Sequence, residues 1–191
     1  MAIILASTSP RRSEILKNLG VDFKVAAPCT DEYSSANTPG ELTEELARQK
    51  ALDVRERVDE NDVVIACDTV VWAGGRALGK PKNADEAAEM LRLLSGKTHE
   101  VYSGICVARG SKVVTAHEVT RVRFAELSDH DVAKCIALGA PYDKAGSYAV
   151  QGIASLYIDG IDGDYFNVVG LPVRLLYKTL LDEFDVELAI I

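Results

Sequence analysis

Ile3-Ile4-Leu5 is an apolar run that passes through Ala6-Ser7-Thr8-Ser9 into Pro10-Arg11-Arg12, after which Ile15, Leu16 and Leu19 recur at helical spacing as far as Gly20. The chain therefore opens as a strand, a phosphate-sized loop and a helix. Proline at the first helical position gives up only an amide hydrogen that had no intrahelical partner, and Ser9 stands where a capping hydroxyl is favoured. Two arginines on the first turn run against the helix dipole, which prefers acids there. An anion would compensate them, because exposed helix-start amides and two guanidinium forks suit phosphate oxygens. The same residues also fit a capped surface helix with two solvated arginines, and the choice falls to the rest of the chain.

With 191 residues, 48% of them hydrophobic and 26% charged, the chain can bury a sizeable core in one domain or two closely joined lobes. It has no internal repeat, low-complexity tract or separable linker. No basic stretch precedes Ile3, and no apolar run approaches the roughly 20 residues of a membrane helix, so no membrane partner is expected and the reading is cytoplasmic. A formal net charge of -8 argues against a nucleic-acid surface, but not against a small anionic ligand gripped by a few local basic residues. Cys29, Cys67, Cys106 and Cys135 lie tens of residues apart and read as reduced core residues rather than a zinc or disulfide framework. His99, His117 and His130 have no metal-ligand spacing, and no Gly-x-Ser-x-Gly elbow is present.

Residues 21–26 alternate like a half-buried strand, and residues 28–39 form a polar loop with Asp31, Glu32, Ser34, Ser35 and Asn37. On its own Glu32 reads as a solvated loop carboxylate. Thr38-Pro39-Gly40-Glu41 is a capping box that opens a long helix to about residue 58, with Leu42, Leu46, Ala47, Val54 and Val58 as its buried stripe. Lys50 falls at the edge of that stripe, where its amine can snorkel into water or reach into a cleft.

Val63-Val64-Ile65-Ala66-Cys67 is the most continuous apolar strand, and it runs straight into Asp68-Thr69 before Val70-Val71-Trp72 resumes. An acid inside such a strand is costly unless paired, hydrogen-bonded or metal-bound, which makes Asp68 the strongest catalytic candidate. The alternative is an aspartate satisfied by amides at a strand bend. Gly74 to Lys80 imitates Gly-x-x-x-x-Gly-Lys, but Pro81 occupies the place of the metal-binding hydroxyl, so it is not a P-loop. Lys80 still sits in a fixed turn, Leu78-Gly79-Lys80-Pro81.

Residues 83–94 form a helix capped by Asn83, and Ser95-Gly96-Lys97-Thr98 ends it. Residues 99–108 and 113–124 are β-rich arms of a hairpin, and Ser128 caps a short helix ending near Gly139. The small residues of Asp143-Lys144-Ala145-Gly146-Ser147-Tyr148-Ala149-Val150-Gln151-Gly152 suggest backbone packed close to a ligand or another segment. Two β segments broken at Asp159-Gly160 and Asp162-Gly163 follow, and a last helix buries Leu175, Leu176 and Leu180. The alternation implies a mixed α/β sheet with helices on its faces.

Ser7-Thr8-Ser9-Pro10-Arg11-Arg12, Asp68-Thr69-Val70-Val71, Leu78-Gly79-Lys80-Pro81, Leu94-Ser95-Gly96-Lys97-Thr98-His99 and Val168-Val169-Gly170-Leu171-Pro172 occur in order over nearly the whole chain. Together they resemble the Maf family of nucleoside triphosphate pyrophosphatases. The resemblance implies a single domain over residues 1–191, a mixed twisted sheet flanked by helices in two lobes around a deep cleft, related to inosine triphosphate pyrophosphatases, and often a homodimer. It implies hydrolysis of a nucleoside triphosphate between the α- and β-phosphates with a divalent cation, Mg2+ or Mn2+. Asp68-Thr69 and the 145–152 segment are similar to the dTTP/UTP branch, whereas the 7-methyl-GTP branch has Asp-Gln at the first of these places.

By the same resemblance Asp68 is the proton acceptor, Ser7, Arg11, Lys50 and Lys80 hold the triphosphate, and Arg12, Thr69 and Gln151 set base preference. Glu32 and Asp68 would hold the metal. Asp164 and Phe166 stand where the family commonly has small or hydroxyl residues. The alternatives are 7-methyl-GTP as substrate, or a non-catalytic nucleotide-binding regulator of cell division. Asp68 separates the last from an enzyme, since a pure binder gains nothing from a carboxylate beside a triphosphate.

Overall fold

A computed structural model describes residues 1–139 and 141–188. The strands are β1 (Ile3–Ala6), β2 (Lys24–Val25), β3 (Val63–Ala73), β4 (Arg76–Leu78), β5 (Thr98–Arg109), β6 (Lys112–Phe124) and β7 (Ile158–Asp162). The helices are α1 (Pro10–Asn18), α2 (Pro39–Arg55), α3 (Ala84–Leu94), α4 (Asp129–Gly139), α5 (Tyr165–Val169) and α6 (Val173–Phe184). The strands form one seven-stranded mixed sheet in the order β2-β1-β3-β5-β6-β7, with β4 paired to β3. This is the mixed α/β class that the alternating periodicities imply.

β1 runs parallel to β3 with Ile3 opposite Val63 and Ala6 opposite Ala66. Both strands are apolar and deeply buried, as strands covered on two faces must be. Ser7 directly follows Ala6 and Asp68 stands two residues beyond Ala66, so this register brings the loop after β1 and Asp68 to the same end of the pair. β2 is much shorter than the alternation over residues 21–26 suggests, because only Lys24 and Val25 find partners, Ile4 and Leu5, at the sheet's edge.

The chain divides into two compact units. Unit 1 holds Met1–Asp68, Ser103–Glu118 and Gly170–Ile191, and unit 2 holds Thr69–Tyr102 and Val119–Val169. In unit 1 the core gathers Ile4, Ala6, Ala47, Ala51, Val54, Val64 and Cys106. The face of α2 that is buried differs from the expected stripe. Thr43, Ala47, Lys50, Ala51 and Val54 are inside, while Leu42 and Leu46 are half-buried. The cause is a close crossing over β5: a Cβ on Gly104 would lie 2.3 Å from the Thr43 carbonyl carbon, so the helix packs by its small residues. That rotation carries Lys50 to the inside.

In unit 2, Val71, Met90, Leu91, Leu94, Phe124 and Tyr148 belong to the core. The predicted caps hold there, with Asn83 Oδ1 accepting from the Glu86 amide at 2.9 Å and Ser128 Oγ from the Asp131 amide at 3.2 Å. β5 and β6 are joined through Gly110-Ser111, a connection so short that only antiparallel neighbours can share it. Before β7 the expected pair of β segments is replaced by a 3-10 helix, Ile153–Tyr157, and one strand. All four cysteines are free. Cys67, Cys106 and Cys135 are buried, but Cys29 is exposed, since the loop that carries it lies on the surface. None of the described helices is long and apolar enough to cross a membrane.

Candidate active site

The loop after β1 is built around Ser7, which is buried at 4% exposure. Its Oγ accepts the Ser9 amide at 3.1 Å and Arg12 Nη1 at 3.3 Å. Ser9 occupies the N-cap of α1 in extended conformation but makes no side-chain capping bond, so the expected cap is corrected: the hydroxyl that organises this turn belongs to Ser7. Arg12 Nε also donates to the Gly170 carbonyl at 2.8 Å, and the Cys67 thiol donates to the same oxygen at 3.3 Å. That one carbonyl ties the start of α1, the end of the apolar run in β3 and the segment before α6. Gly170 adopts φ +121, a conformation few side chains tolerate. Arg11 is half-buried on the same first turn.

Lys50 is 8% exposed, and its Nζ lies 2.5 Å from Asp68 Oδ1 and 3.1 Å from Glu32 Oε2. The buried ammonium and the acid inside the strand thus compensate each other, which answers how β3 tolerates Asp68. Of the two outcomes open to Lys50, it reaches inward. The Asp68 side chain is 13% exposed and that of Glu32 46%, so the trio grades from core to solvent.

The loop that presents Glu32 is fastened to α2 on both sides of it. The Cys29 amide donates to Asp53 Oδ2 at 2.9 Å, and the Tyr33 amide donates to Gln49 Oε1 at 3.2 Å. Ser34 Oγ lies 2.5 Å from Glu45 Oε2. The Cys29 amide, aided by Arg57, holds the Asp53 carboxyl below the usual carboxylate range. Glu32 is therefore a positioned acid rather than a freely solvated one.

Unit 2 carries Thr69, Lys80 and Gln151. Thr69 is half-buried in β3, immediately after Asp68. Lys80 is exposed just beyond β4, between Gly79 and the buried Pro81. Gln151 is exposed in a turn closed by the Gly152 amide on the Ala149 carbonyl at 3.0 Å. The Gly146 amide donates to the Gly79 carbonyl at 3.1 Å, which joins the small-residue segment to the turn of Lys80. Asp164 Oδ1 accepts the Phe166 amide at 2.8 Å and so caps α5.

Sequence reasoning missed the buried pair of His99 and Tyr148, whose Nε2 and Oη are 2.7 Å apart. Burial pushes His99 down to about 4 and raises Tyr148 above the ordinary phenol range, so both are neutral. Phe124 meets both rings edge to face, at 5.2 Å from His99 and 4.9 Å from Tyr148.

Among the described residues no group of three or more histidine, cysteine or acidic side chains could hold a metal ion. Glu32 and Asp68 supply two carboxylates within reach of one cation, the Lys50 ammonium. Mg2+ and similar hard ions are commonly bound through one or two carboxylates and substrate phosphates, so this donor set fits such an ion.

A family model described as "Maf-like protein" matches residues 2–183. The chain is 45% identical over 190 residues to a protein of Thermoanaerobacter sp. (strain X514) named dTTP/UTP pyrophosphatase, covering 98% of this chain and 100% of that one. A protein of the same name from Alkaliphilus oremlandii is 48% identical over 189 residues, covering 97% and 98%. Of the solved structures, a HAM1 protein from Coxiella burnetii shares 17% identity at a TM-score of 0.48, covering 66% of this chain and 75% of that one.

Proposed function

This chain belongs to the Maf-like protein family, and from that premise we propose that it hydrolyses dTTP and UTP to the nucleoside monophosphate and pyrophosphate, removing them from the nucleotide pool. The observation that carries the reading is the charged trio at the end of the apolar run in β3, where Asp68 is held against Lys50 beside Glu32. That carboxylate offsets the buried ammonium, and it stands at the point where the trio grades toward solvent. It serves to take a proton from the attacking water or to ligate a cation.

Asp68 accepts the proton. Ser7 and Arg11, on the loop and first turn that follow β1, donate to phosphate oxygens, and Lys50 adds positive charge close to the acid. Arg12, fixed through Ser7 and Gly170, holds the turn in shape and offers donors to the base. Lys80 is assigned to the phosphates and Thr69 and Gln151 to the base on their motifs. A divalent cation held by Glu32 and Asp68 would neutralise phosphate charge and make its bound water more acidic.

The test is product identification. Purified protein with UTP and Mg2+ or Mn2+ is expected to release UMP and pyrophosphate, and UDP with orthophosphate would overturn the cleavage position. Activity undiminished by a chelator would remove the cation.

A further inference from the structure

Thr69, Lys80 and Gln151 sit on three separate segments of unit 2, and residues 146–152 touch the backbone that carries the other two. The Gly146 amide bonds the carbonyl of Gly79, next to Lys80. Gly146 also lies flat against Val71, two residues beyond Thr69 in β3, where an added Cβ would come within 2.8 Å of Val71 Cγ2. Its φ of +67 admits glycine readily and other residues poorly. Ser147 follows at φ +66, a costly conformation for a residue with a side chain, and its Oγ is placed 3.1 Å from Met90 Sδ in the core. Tyr148 then drops into the core, 7% exposed, to meet His99 Nε2 under Phe124. Three residues further on, Gln151 is exposed. A strained residue such as Ser147 persists only where the surroundings over-determine it, and here the anchors on both sides do so.

We propose that Gly146 and the His99–Tyr148 pair form a clasp that positions Gln151 relative to Thr69 and Lys80, and so determine base selectivity without touching the base. The proposal rests on the reading of Gln151 as a base-contacting residue. Uracil and thymine present two carbonyl oxygens flanking a ring N–H, a pattern that a correctly placed glutamine amide can match with its own donor and acceptor. Cytosine puts an acceptor in place of the ring N–H and an amino donor in place of one carbonyl, so an amide fixed to match uracil is left facing groups it cannot pair. Discrimination of this kind depends on the position of the amide to a fraction of an ångström. A glutamine on an unanchored turn would adapt to either base.

Tyr148→Phe keeps the ring beside Phe124 and deletes only the hydroxyl, and Gly146→Ala disturbs the other anchor. In each, the ratio of kcat/KM for UTP over CTP is expected to fall about tenfold, through a higher KM for UTP while kcat holds within about twofold. Amide exchange across residues 146–152 is expected to quicken in both. Should one variant fail to fold, the other is read on the same two measures. An unchanged ratio, unchanged exchange, or an equal loss of kcat on both nucleotides overturns the clasp. A parent enzyme with no preference for UTP over CTP overturns instead the reading of Gln151, and the exchange measurement still decides whether the clasp holds the segment.

Discussion

Lys50 with Asp68 and Glu32, and His99 with Tyr148, are two settings in which the chain places polar side chains among apolar ones, and it treats them oppositely. In the first the charges are kept and paired, and the trio opens toward solvent through Glu32. In the second the groups are sealed in the core and held neutral, with the phenol meeting Nε2 while Nδ1 of His99 finds no partner among the described residues. Burial without a counter-charge discharges a titratable group, whereas burial with one preserves it. The contrast fits the two proposed roles: an acid that is to react has to remain ionised and reachable, and a pair that is to anchor a segment needs neither.

Asp68→Asn makes the largest break in that contrast. The amide keeps the shape and can still meet Lys50, but it neither takes a proton nor ligates a cation as a carboxylate does. Turnover on UTP is expected to fall about 10²–10⁴-fold, while circular dichroism and the melting transition report a folded protein, because Lys50 retains Glu32 at 3.1 Å. A folded variant with near-parent turnover would make Asp68 an architectural group like His99.

How much of this was legible in the sequence follows from the same contrast. Asp68 was conspicuous because an acid interrupts an apolar run, and the caps at Thr38 and Asn83 follow from local chemistry that needs no distant partner. Lys50 stood out only as a residue at the edge of the helix stripe with both outcomes open, since helical periodicity ranks a lysine by its polarity, and what draws it inside is a carboxylate on another element and the small-residue crossing at Gly104. Glu32 is the acid to watch in the polar loop but reads on its own as a solvated carboxylate, and only the family resemblance gives it a metal. His99 ends one of the ordered motifs and Tyr148 lies in the small-residue segment, but with 49 positions between them nothing in the sequence pairs the two. Cys29 misled because cysteine is usually buried, and its polar loop outweighed that tendency.

The pH dependence of stability sharpens the comparison through its sign. His99 titrates near 4 in the folded chain, against about 6.5 when unfolded. As pH falls through that window the unfolded state binds the proton first, so stability is intact above 6.5, declines between 6.5 and 4, and levels off below. The loss attributable to this residue is about 3 kcal/mol. A histidine held by a counter-charge would show the opposite slope. His99→Phe should be less stable than the parent at neutral pH, by about 1–3 kcal/mol for the orphaned Tyr148 hydroxyl. The two unfolding curves are then expected to converge as pH approaches 4. Parallel curves across the window would mean that His99 is not the group being titrated.

Glu32→Gln gives the smallest change in stability and tests whether the solvent end of the charged trio has any use beyond pairing. The Glu32 side chain is 46% exposed, and Asp68 remains 2.5 Å from Lys50 without it. An ion pair so open to water contributes about 0–1 kcal/mol, so the melting temperature should move by only a few degrees. Metal affinity should respond far more, because a neutral amide is a weaker ligand for a hard cation than a carboxylate and Glu32 is one of the two carboxylates proposed to hold it. The Mn2+ concentration giving half-maximal turnover is expected to rise about tenfold or more. Direct binding of Mn2+ to the substrate-free protein, followed by electron paramagnetic resonance, should weaken in step, which separates a ligand from a residue that only helps turnover. A large fall in melting temperature with an unchanged Mn2+ requirement would reverse the assignment and leave Glu32 as the structural partner of Lys50, on the same footing as Tyr148 is to His99.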